Sequence, residues 1–468
     1  MKIWRLPLIT LLLLLTQPVH AAIQEHIDAL EGPFSDGPSV TEACLNCHED
    51  AARDFMKTTH WTWSSQQELA DRKGPVERGK KNAINNFCIS LPGNWPRCTS
   101  CHAGYGWEDD TFDFENARNV DCLVCHDATG SYKKFPTGAG HPAYETKESA
   151  GTVYPAPDLT HVAQNVGMPD RRACGSCHFF GGGGNAIKHG DLDESLVEPQ
   201  RTFDVHMGID GENMSCQSCH LTENHQISGN ALVVSPGGKE KLDCTRCHEA
   251  EPHIKNAKML NSHCKRVACQ TCHIPTFAKG APTKVWWDWS DAGKDLASEV
   301  DAFGMPTFSK QKGSFSWDRE IVPTYAWYNG EGGAYQLGDV IDPDQIVTLN
   351  WPAGSHEDST AKIYPFKKMR GRQIYDTGHK IMITPKLFGK TGYWTTFDWN
   401  SAAAQGMAAT GLDYSGSYGW VETEMYWKIN HMVVPKEDAL KCNTCHGSKG
   451  RLDWTALGYD GDPRKAKN

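Results

Sequence analysis

Eight copies of one five-residue pattern, Cys-x-x-Cys-His, constrain the fold of this chain more than any other feature. Two thiols separated by two residues can form thioethers to both vinyl groups of one porphyrin, and the imidazole that follows can bind the iron. The copies begin at Cys44, Cys98, Cys122, Cys174, Cys216, Cys244, Cys269 and Cys442. At two cysteines per copy, they account for all of the 18 cysteines except Cys88 and Cys264. The sequence therefore predicts eight covalently attached haems of the c type.

Zinc sites and dithiol redox centres do not require a histidine directly after the second cysteine. The chain has 21 His in 468 residues, so chance would place one at a given position about once in 22. A histidine after every pair therefore excludes the zinc and disulfide alternatives. The predicted iron ligands in the motifs are His48, His102, His126, His178, His220, His248, His273 and His446, and the second thioether cysteines are Cys47, Cys101, Cys125, Cys177, Cys219, Cys247, Cys272 and Cys445.

The composition indicates that aliphatic side chains alone do not fill the core. Only 39% of the residues are hydrophobic and the mean hydropathy is −0.54, whereas the 16 Trp exclude a disordered chain. We expect a mainly α fold with extensive loops, in which short helices carry the motifs and the haems form the packed core of a multihaem cytochrome c.

Residues 1–22 have the form of an export signal. A short basic start precedes an apolar run over residues 6–16, and small residues at Ala21 and Ala22 suit cleavage. The run is shorter than the roughly 20 residues that a membrane-spanning helix needs. No later segment is apolar enough to span, so we expect no membrane span in the mature chain and a periplasmic location.

The mature chain divides by motif content. Residues 23–279 form a region with seven motifs, 280–430 lack a motif, and 431–468 hold the eighth motif and the C-terminal tail. The middle segment is rich in Trp, Gly and Pro. We expect it to wrap the haems with loops and some strands and to end in a helix near 420–433 that delivers His431. A separate small aromatic core is the alternative.

A haem with two protein ligands is suited to electron transfer, whereas one with a single ligand can bind other molecules. Outside the motifs, seven histidines stand close to a motif or in a segment leading into one. We predict these as second iron ligands: His60, His189, His206, His225, His253, His263 and His431. Five others, His26, His141, His161, His356 and His379, fit less well. Seven ligands for eight haems leave one iron without a second histidine.

Five segments make the chain resemble the octahaem cytochromes of the tetrathionate reductase type, relatives of hydroxylamine oxidoreductase and the multihaem nitrite reductases. The resemblance covers nearly the whole mature chain. The segments are Thr59-His60-Trp61-Thr62-Trp63, Asn86-Phe87-Cys88-Ile89-Ser90, Gly130-Ser131-Tyr132-Lys133-Lys134, the glycine run Gly181–Asn185 leading to Lys188-His189-Gly190, and Leu457-Gly458-Tyr459-Asp460-Gly461-Asp462.

The resemblance implies a reductase whose catalytic iron is bound by a lysine from outside the motifs. Lys133 and Lys134 are the candidates, and the haem of Cys98 and Cys101 is the candidate catalytic haem. A ligating lysine must be neutral, which requires a pKa below its usual value of about 10. Two solvated lysines in a loop are the alternative. Which lysine binds, and whether His102 stays on the iron, are left open.

Cys88 and Cys264 are outside the motifs. In an exported protein they could form a disulfide. Cys88 could instead line the catalytic cavity as a thiol, because it precedes the second motif by ten residues.

The charge balance of 47 basic against 57 acidic residues gives a net −10, which excludes nucleic acid as a partner. The basic cluster at 367–372 is either a local attractor for anions or a solvated turn.

We expect the enzyme to reduce a small inorganic sulfur or nitrogen oxyanion, with tetrathionate, nitrite or hydroxylamine as candidates, and to receive electrons from an external quinol-linked donor or small cytochrome. An electron carrier with two histidines on every iron is the alternative. Self-association into a homo-oligomer is compatible with either.

Overall fold

The computed structural model describes residues 24–229, 242–254 and 257–465. The predicted export signal at 1–22 lies outside the described residues. The chain forms two compact units that are interleaved along the sequence. The first contains the residues up to Trp61 together with Pro96–Cys174, and the second contains Thr62–Trp95 together with the residues from Gly175 onward.

The helices are short. They span Gly37–Leu45, Ala51–Phe55, Thr59–Thr62, Leu123–His126, Leu159–Gln164, Arg171–His178, Ala257–His263, Cys269–His273, Tyr393–Thr396, Trp399–Ala409 and Cys442–Cys445. Aspartates begin three of them: the side chains of Asp36, Asp158 and Asp398 accept hydrogen bonds from backbone N–H groups of the first turn. Helices of four or five residues are not stable alone in water, so the packing around the motifs must hold them.

The prediction of a mainly α fold is wrong, because helix and strand each account for 21% of the residues. The strands are β1 Ser65–Glu68, β2 Pro75–Arg78, β3 Lys147–Ser149, β4 Thr152–Tyr154, β5 Thr222–Glu223, β6 Gln226–Ile227, β7 Thr283–Asp288, β8 Phe308–Ser309, β9 Gly313–Asp318, β10 Thr324–Tyr328, β11 Gly332–Ala334, β12 Val347–Pro352, β13 Lys362–Asp376, β14 Ile381–Met382 and β15 Tyr418–Lys428. Six of them form three separate hairpins, and the other nine form one sheet.

The nine-stranded sheet is organised around β13. One edge of β13, from Phe366 to Asp376, pairs antiparallel with the whole of β15. The other edge pairs in turn with β10, with β7 in parallel, and with β14. The sheet continues from β15 to β12 and β11, and from β7 to β9 and β8. A central strand of 15 residues thus connects segments that are far apart in the sequence.

Aromatic residues of the motif-free segment form the core of this sheet. Trp287 and Trp289 stack with ring centres 4.8 Å apart, and both are buried together with Trp399 and Trp427. The motif-free segment therefore contains a sheet with a buried aromatic core, and Phe87, Ile89 and Ile187 from outside the segment belong to the same core. That the segment wraps the haems stays a prediction. The predicted helix near 420–433 is wrong: these residues form β15, because its residues alternate between buried and partly exposed positions with the period of two of a strand.

The basic cluster at 367–372 lies within β13 and is not a turn. Alternation along the strand buries Lys367 and turns Lys368, Arg370 and Arg372 to the opposite face. Lys368 and Arg370 lie 3.1 Å and 3.7 Å from the carboxylate of Glu424. Arg372 lies 3.5 Å from Glu422 and 3.9 Å from Asp288. Neighbouring carboxylates therefore satisfy the outward charges, and the cluster does not form an anion site.

The first unit has two small apolar clusters. Val40, Tyr105, Leu123 and Val162 form one of them, and Ala52, Trp61 and Val120 form the other. Each cluster packs against a motif cysteine, Cys44 in the first and Cys122 in the second. Among the residues described in both units, no helix is long and apolar enough to cross a membrane.

Candidate haem-binding sites

Most motifs close a helical turn that positions the histidine. The N–H of His48, His126, His220, His248 and His446 donates to the carbonyl of the first cysteine of its own motif, at 2.9–3.1 Å. This bond places the second cysteine and the histidine one turn from the first cysteine. The second motif differs, because the N–H of His102 donates to the carbonyl of Thr99 in a tighter 3-10 turn.

For five of the eight motif histidines, the imidazole ring lies opposite the ring of a second histidine. The ring centres are 6.3 Å apart for His48 and His26, 6.5 Å for His220 and His431, 6.1 Å for His248 and His206, 6.4 Å for His273 and His253, and 6.3 Å for His446 and His263. With metal–nitrogen bonds of about 2.0 Å and about 1.2 Å from nitrogen to ring centre, two imidazoles on opposite sides of one metal have centres about 6.4 Å apart. The residues present therefore fit an iron between each pair.

Four of these second ligands, His206, His253, His263 and His431, were predicted from the sequence. The fifth, His26, was not, and it lies in the helical residues 24–29 just after the predicted export signal. Its position 18 residues before Cys44 gave no signal in the sequence. Only the fold of the first unit brings its ring opposite His48.

Hydrogen bonds at Nδ1 orient several of the ligand rings. The Nδ1 atom of His126 lies 2.9 Å from the Gly167 carbonyl, and that of His220 lies 3.1 Å from the Ser228 carbonyl. A bond at Nδ1 fixes the tautomer and leaves Nε2 to face the metal. These two motif histidines are therefore prepared to bind iron.

In His102 of the second motif, Nε2 contacts the protein backbone, whereas in His126 and His220 the contacting atom is Nδ1. The His102 Nε2 atom lies 2.7 Å from the carbonyl oxygen of Trp61, and the His102 ring is fully buried. The ring packs against aromatic side chains, with centres 5.1 Å from Trp61, 4.8 Å from Trp107 and 5.5 Å from Phe112. The nitrogen that would bind iron is thus used as a donor to the backbone.

The two predicted catalytic lysines have different environments. The ammonium of Lys134 lies 2.8 Å from the carboxylate of Asp121 and donates to the carbonyls of His102 and Gly140 at 2.6 Å each. Its side chain is 8% exposed and that of Asp121 is 0% exposed. Lys133 is exposed and has no hydrogen bond or ion pair within the described part of the chain. Lys134 is therefore a buried structural cation, and Lys133 is the available one.

Asp121 is the centre of a buried polar network. Its two carboxylate oxygens accept hydrogen bonds from Tyr105 at 2.7 Å and from Tyr132 at 2.9 Å. Burial and the charge of Asp121 raise the pKa of both phenols well above their usual value. These hydroxyls therefore stay protonated and act as donors, which together with Lys134 satisfies the carboxylate.

Cys88 and Cys264 are not joined, so the disulfide alternative is wrong. Burial raises the pKa of the Cys88 thiol, and the nearby Lys80, Lys188 and Lys312 only partly offset this effect. Its backbone N–H donates to the side chain of Asn85 at 2.7 Å. Cys88 is therefore a protonated thiol in a basic environment of the second unit.

Three predicted second ligands, His60, His189 and His225, are not among the five pairs. Burial lowers the pKa of His189 well below its usual value, and the charges of Lys188 and His178 contribute. His178 and His189 are therefore close neighbours in the second unit. Assignment of these three histidines to irons stays a prediction, as do the second ligands at Cys122 and Cys174.

Known proteins resemble this chain in sequence and in structure. Residues 284–449 match the family model for bacterial cytochrome c, and residues 43–127 match that for cytochrome c554 and c-prime. The crystal structure of octahaem cytochrome c from Shewanella oneidensis is 54% identical with a TM-score of 0.87, and covers 94% of this chain and 98% of that one. An uncharacterised protein of Archaeoglobus fulgidus is 26% identical over 230 residues, which cover 41% of this chain and 76% of that protein.

Proposed function

This chain belongs to the octahaem c-type cytochromes, and from that premise we propose that it reduces a small inorganic sulfur or nitrogen oxyanion. Tetrathionate, nitrite and hydroxylamine are the candidate substrates. When bound, the haems supply single electrons and, at one iron, a position for the substrate. We assign that position to the haem attached at Cys98 and Cys101, with the other seven haems carrying electrons to it.

The orientation of His102 carries this proposal. A haem with two histidines has no position for a substrate, whereas a motif histidine turned to a backbone carbonyl leaves its iron open to other ligands. The Nε2 of His102 is bonded to the Trp61 carbonyl at 2.7 Å, and the ring is held by aromatic neighbours. The ring nitrogen bonds described for His126, His220 and His446 are at Nδ1, whereas that of His102 is at Nε2, and this difference supports an iron open to other ligands at the second motif.

Lys133 is the proposed ligand at this haem. An ammonium that donates to a carboxylate and two carbonyls has no lone pair for a metal, so Lys134 would have to lose its network before it could bind. Lys133 has no such partners. Lys134 then has a positioning role, because it joins Asp121 to the carbonyl of His102 and fixes the backbone of the turn.

An electron carrier is the second candidate function, and His26 favours it. Its pairing with His48 raises the number of candidate second histidines from seven to eight, which equals the number of haems. If His60, His189 and His225 all bind iron, every haem has a histidine from outside its motif. The hydrogen bond of His102 to Trp61 is the observation against this function.

We also propose that the protein works in the periplasm after removal of residues 1–22. A quinol-linked protein or a small cytochrome would deliver the electrons, and assembly into a homo-oligomer is compatible with this role. The seven electron-carrying haems give an external donor several points of entry.

Electron paramagnetic resonance of the oxidised, haem-loaded protein tests the proposed function. We expect one haem signal that differs from the bis-histidine signals and shifts when nitrite, hydroxylamine or tetrathionate is added. Lys133→Met should change this signal, whereas Lys57→Met, at an exposed lysine of the same unit, should keep it. Eight bis-histidine signals that ignore every added compound would identify an electron carrier.

A further inference from the structure

The imidazoles that face a second histidine differ in what their Nδ1 atoms contact. Three contact neutral acceptors: His220 the Ser228 carbonyl at 3.1 Å, His263 the Met259 carbonyl at 2.9 Å, and His253 the side-chain oxygen of Asn261 at 2.9 Å. A fourth, His206, has its Nδ1 atom 4.0 Å from the carboxylate of Asp204, beyond hydrogen-bond distance. Two contact carboxylates within hydrogen-bond distance. His431 lies 3.1 Å from Asp191, and His446 lies 2.7 Å from Asp462. These two belong to the pairs His220–His431 and His446–His263.

The carboxylate of Asp191 is fixed by further bonds. Its Oδ2 atom also accepts from the backbone N–H groups of Asn430 at 2.8 Å and His431 at 3.1 Å. The side chain is 2% exposed, so water does not screen its charge. The Oδ1 atom lies 4.0 Å from Nδ1 of His189, so the same carboxylate faces two histidines. Asp191 thus places a buried negative charge at the Nδ1 atom of His431, on the side of the ring away from the proposed iron.

Asp462 is fixed in a similar way at the C-terminal end of the chain. Its oxygens accept from the N–H of Gly447 at 2.7 Å and of Arg464 at 3.0 Å. The side chain is 7% exposed. The ring of Trp454 stacks on His446 with centres 5.2 Å apart, which holds the imidazole in line with the carboxylate. A shared geometry therefore occurs at two sites far apart in the sequence.

A carboxylate acceptor makes an imidazole a stronger electron donor than a carbonyl does. It draws the Nδ1 proton toward itself and gives the ring partial imidazolate character, which raises the basicity of the metal-facing nitrogen. A stronger donor stabilises the oxidised iron more than the reduced iron, so the reduction potential falls. A neutral carbonyl or amide oxygen polarises the ring less.

We propose that Asp191 and Asp462 are redox-tuning residues. Through His431 and His446 they give the haems at Cys216/Cys219 and Cys442/Cys445 more negative reduction potentials than their own ligands would set. Both aspartates act through the ligating histidine and do not themselves bind iron. The inference concerns electron flow and does not depend on which substrate the protein reduces.

Spectroelectrochemical titration of the haem-loaded Asp191→Asn variant tests this role. Asparagine keeps an oxygen that can accept from the Asn430 and His431 N–H groups but removes the negative charge. We expect the largest shift to more positive values at one midpoint potential, a smaller shift at the haem that His189 would bind, and the others to stay within the fit error. The g values of one bis-histidine signal should change with it. Asp193→Asn is the matched control, because Asp193 is equally buried in the same segment and bonds Ser195, not a histidine.

An unchanged set of eight potentials in a folded, fully loaded Asp191→Asn protein would overturn the proposal. A uniform shift of all potentials in both the Asp191 and Asp193 variants would also overturn it, since general loss of charge would then be the cause. If Asp191→Asn does not load haem, Asp462→Asn decides the question. A positive shift of a single midpoint in that variant supports the role, and its absence contradicts it. Substrate turnover is not used as the readout, so failure of the reductase proposal would leave this test intact.

Discussion

The Nε2 atom of His102 lies 2.7 Å from the carbonyl oxygen of Trp61, so the nitrogen that would bind iron contacts the protein backbone. The other motif histidines with described Nδ1 bonds direct that nitrogen to the protein and leave Nε2 for the metal. One hydrogen bond therefore distinguishes a candidate catalytic haem from its neighbours.

Replacement of His102 should leave iron ligation unchanged. In His102→Gln the side-chain amide can still donate to the Trp61 carbonyl, so we expect the visible and paramagnetic resonance spectra of the variant to match those of the parent protein once eight haems are confirmed by mass. His220→Gln is the control. It removes a ligand of a paired site, so one haem should become high-spin. A new high-spin signal in His102→Gln would show that His102 binds the iron.

Lys134→Met should destabilise the protein strongly. Removal of one partner of a buried ion pair typically costs about 3–5 kcal/mol, and the Asp121 side chain is fully buried. Two tyrosine donors remain on Asp121, which places the expected loss at the lower end of that range. Thermal or urea unfolding followed by far-UV circular dichroism measures this effect.

Lys57→Met is the surface control in the same unit, since this lysine is exposed, and it should change the free energy of unfolding by less than about 0.5 kcal/mol. Equal stability of the two variants would mean that the Lys134–Asp121 pair does not contribute to the native state.

His26→Ala should open one haem to external ligands. His26 faces His48 at a distance that fits one iron, so its loss should give one high-spin haem that binds cyanide or imidazole. Absorption spectroscopy with added imidazole measures the number of haems that respond. The exposed His161 of the same unit provides the control, and its alanine variant should keep the parent spectrum. A parent-like spectrum of His26→Ala would exclude His26 as a ligand.

Lys284 should make stability depend on pH. Its ammonium group lies 3.5 Å from the ring centre of Trp287 and 3.3 Å from that of Phe315, and its side chain is 3% exposed. Burial, together with Lys312 and Lys367, lowers its pKa to about 6. Because the unfolded chain binds this proton up to a pKa of about 10.4, the free energy of unfolding should rise as pH increases from about 6 to 10.

Lys284→Met should flatten this rise and stabilise the protein at pH 7 by about 1–4 kcal/mol, since folding no longer has to remove the proton that this side chain carries in the unfolded chain. Urea unfolding at pH 6, 8 and 10 measures both effects. Lys310→Met, which alters an exposed lysine beside Asp295, should leave the pH profile unchanged. A parallel pH profile in Lys284→Met would show that this lysine is charged in the folded state.

Much of the site could be predicted where the chemistry is local. A motif of five residues contains both thioether cysteines and an imidazole, so its function does not depend on distant residues. Four second ligands, including His253 and His263, were found because they stand close to a motif. The pairing of each with its motif was not predictable, because it joins residues as far apart as His220 and His431.

The sequence by itself determined the number and places of the haem-attachment motifs and the family. Tertiary structure alone decided which histidine lies opposite His48, the hydrogen bond of His102 to the Trp61 carbonyl, the burial of Lys134, and the sheet built on β13. The physical reason is how far apart in the sequence the interacting residues are. Covalent attachment is set within one helical turn, whereas ligand pairing, buried charge and strand order depend on contacts between segments that only the folded chain brings together.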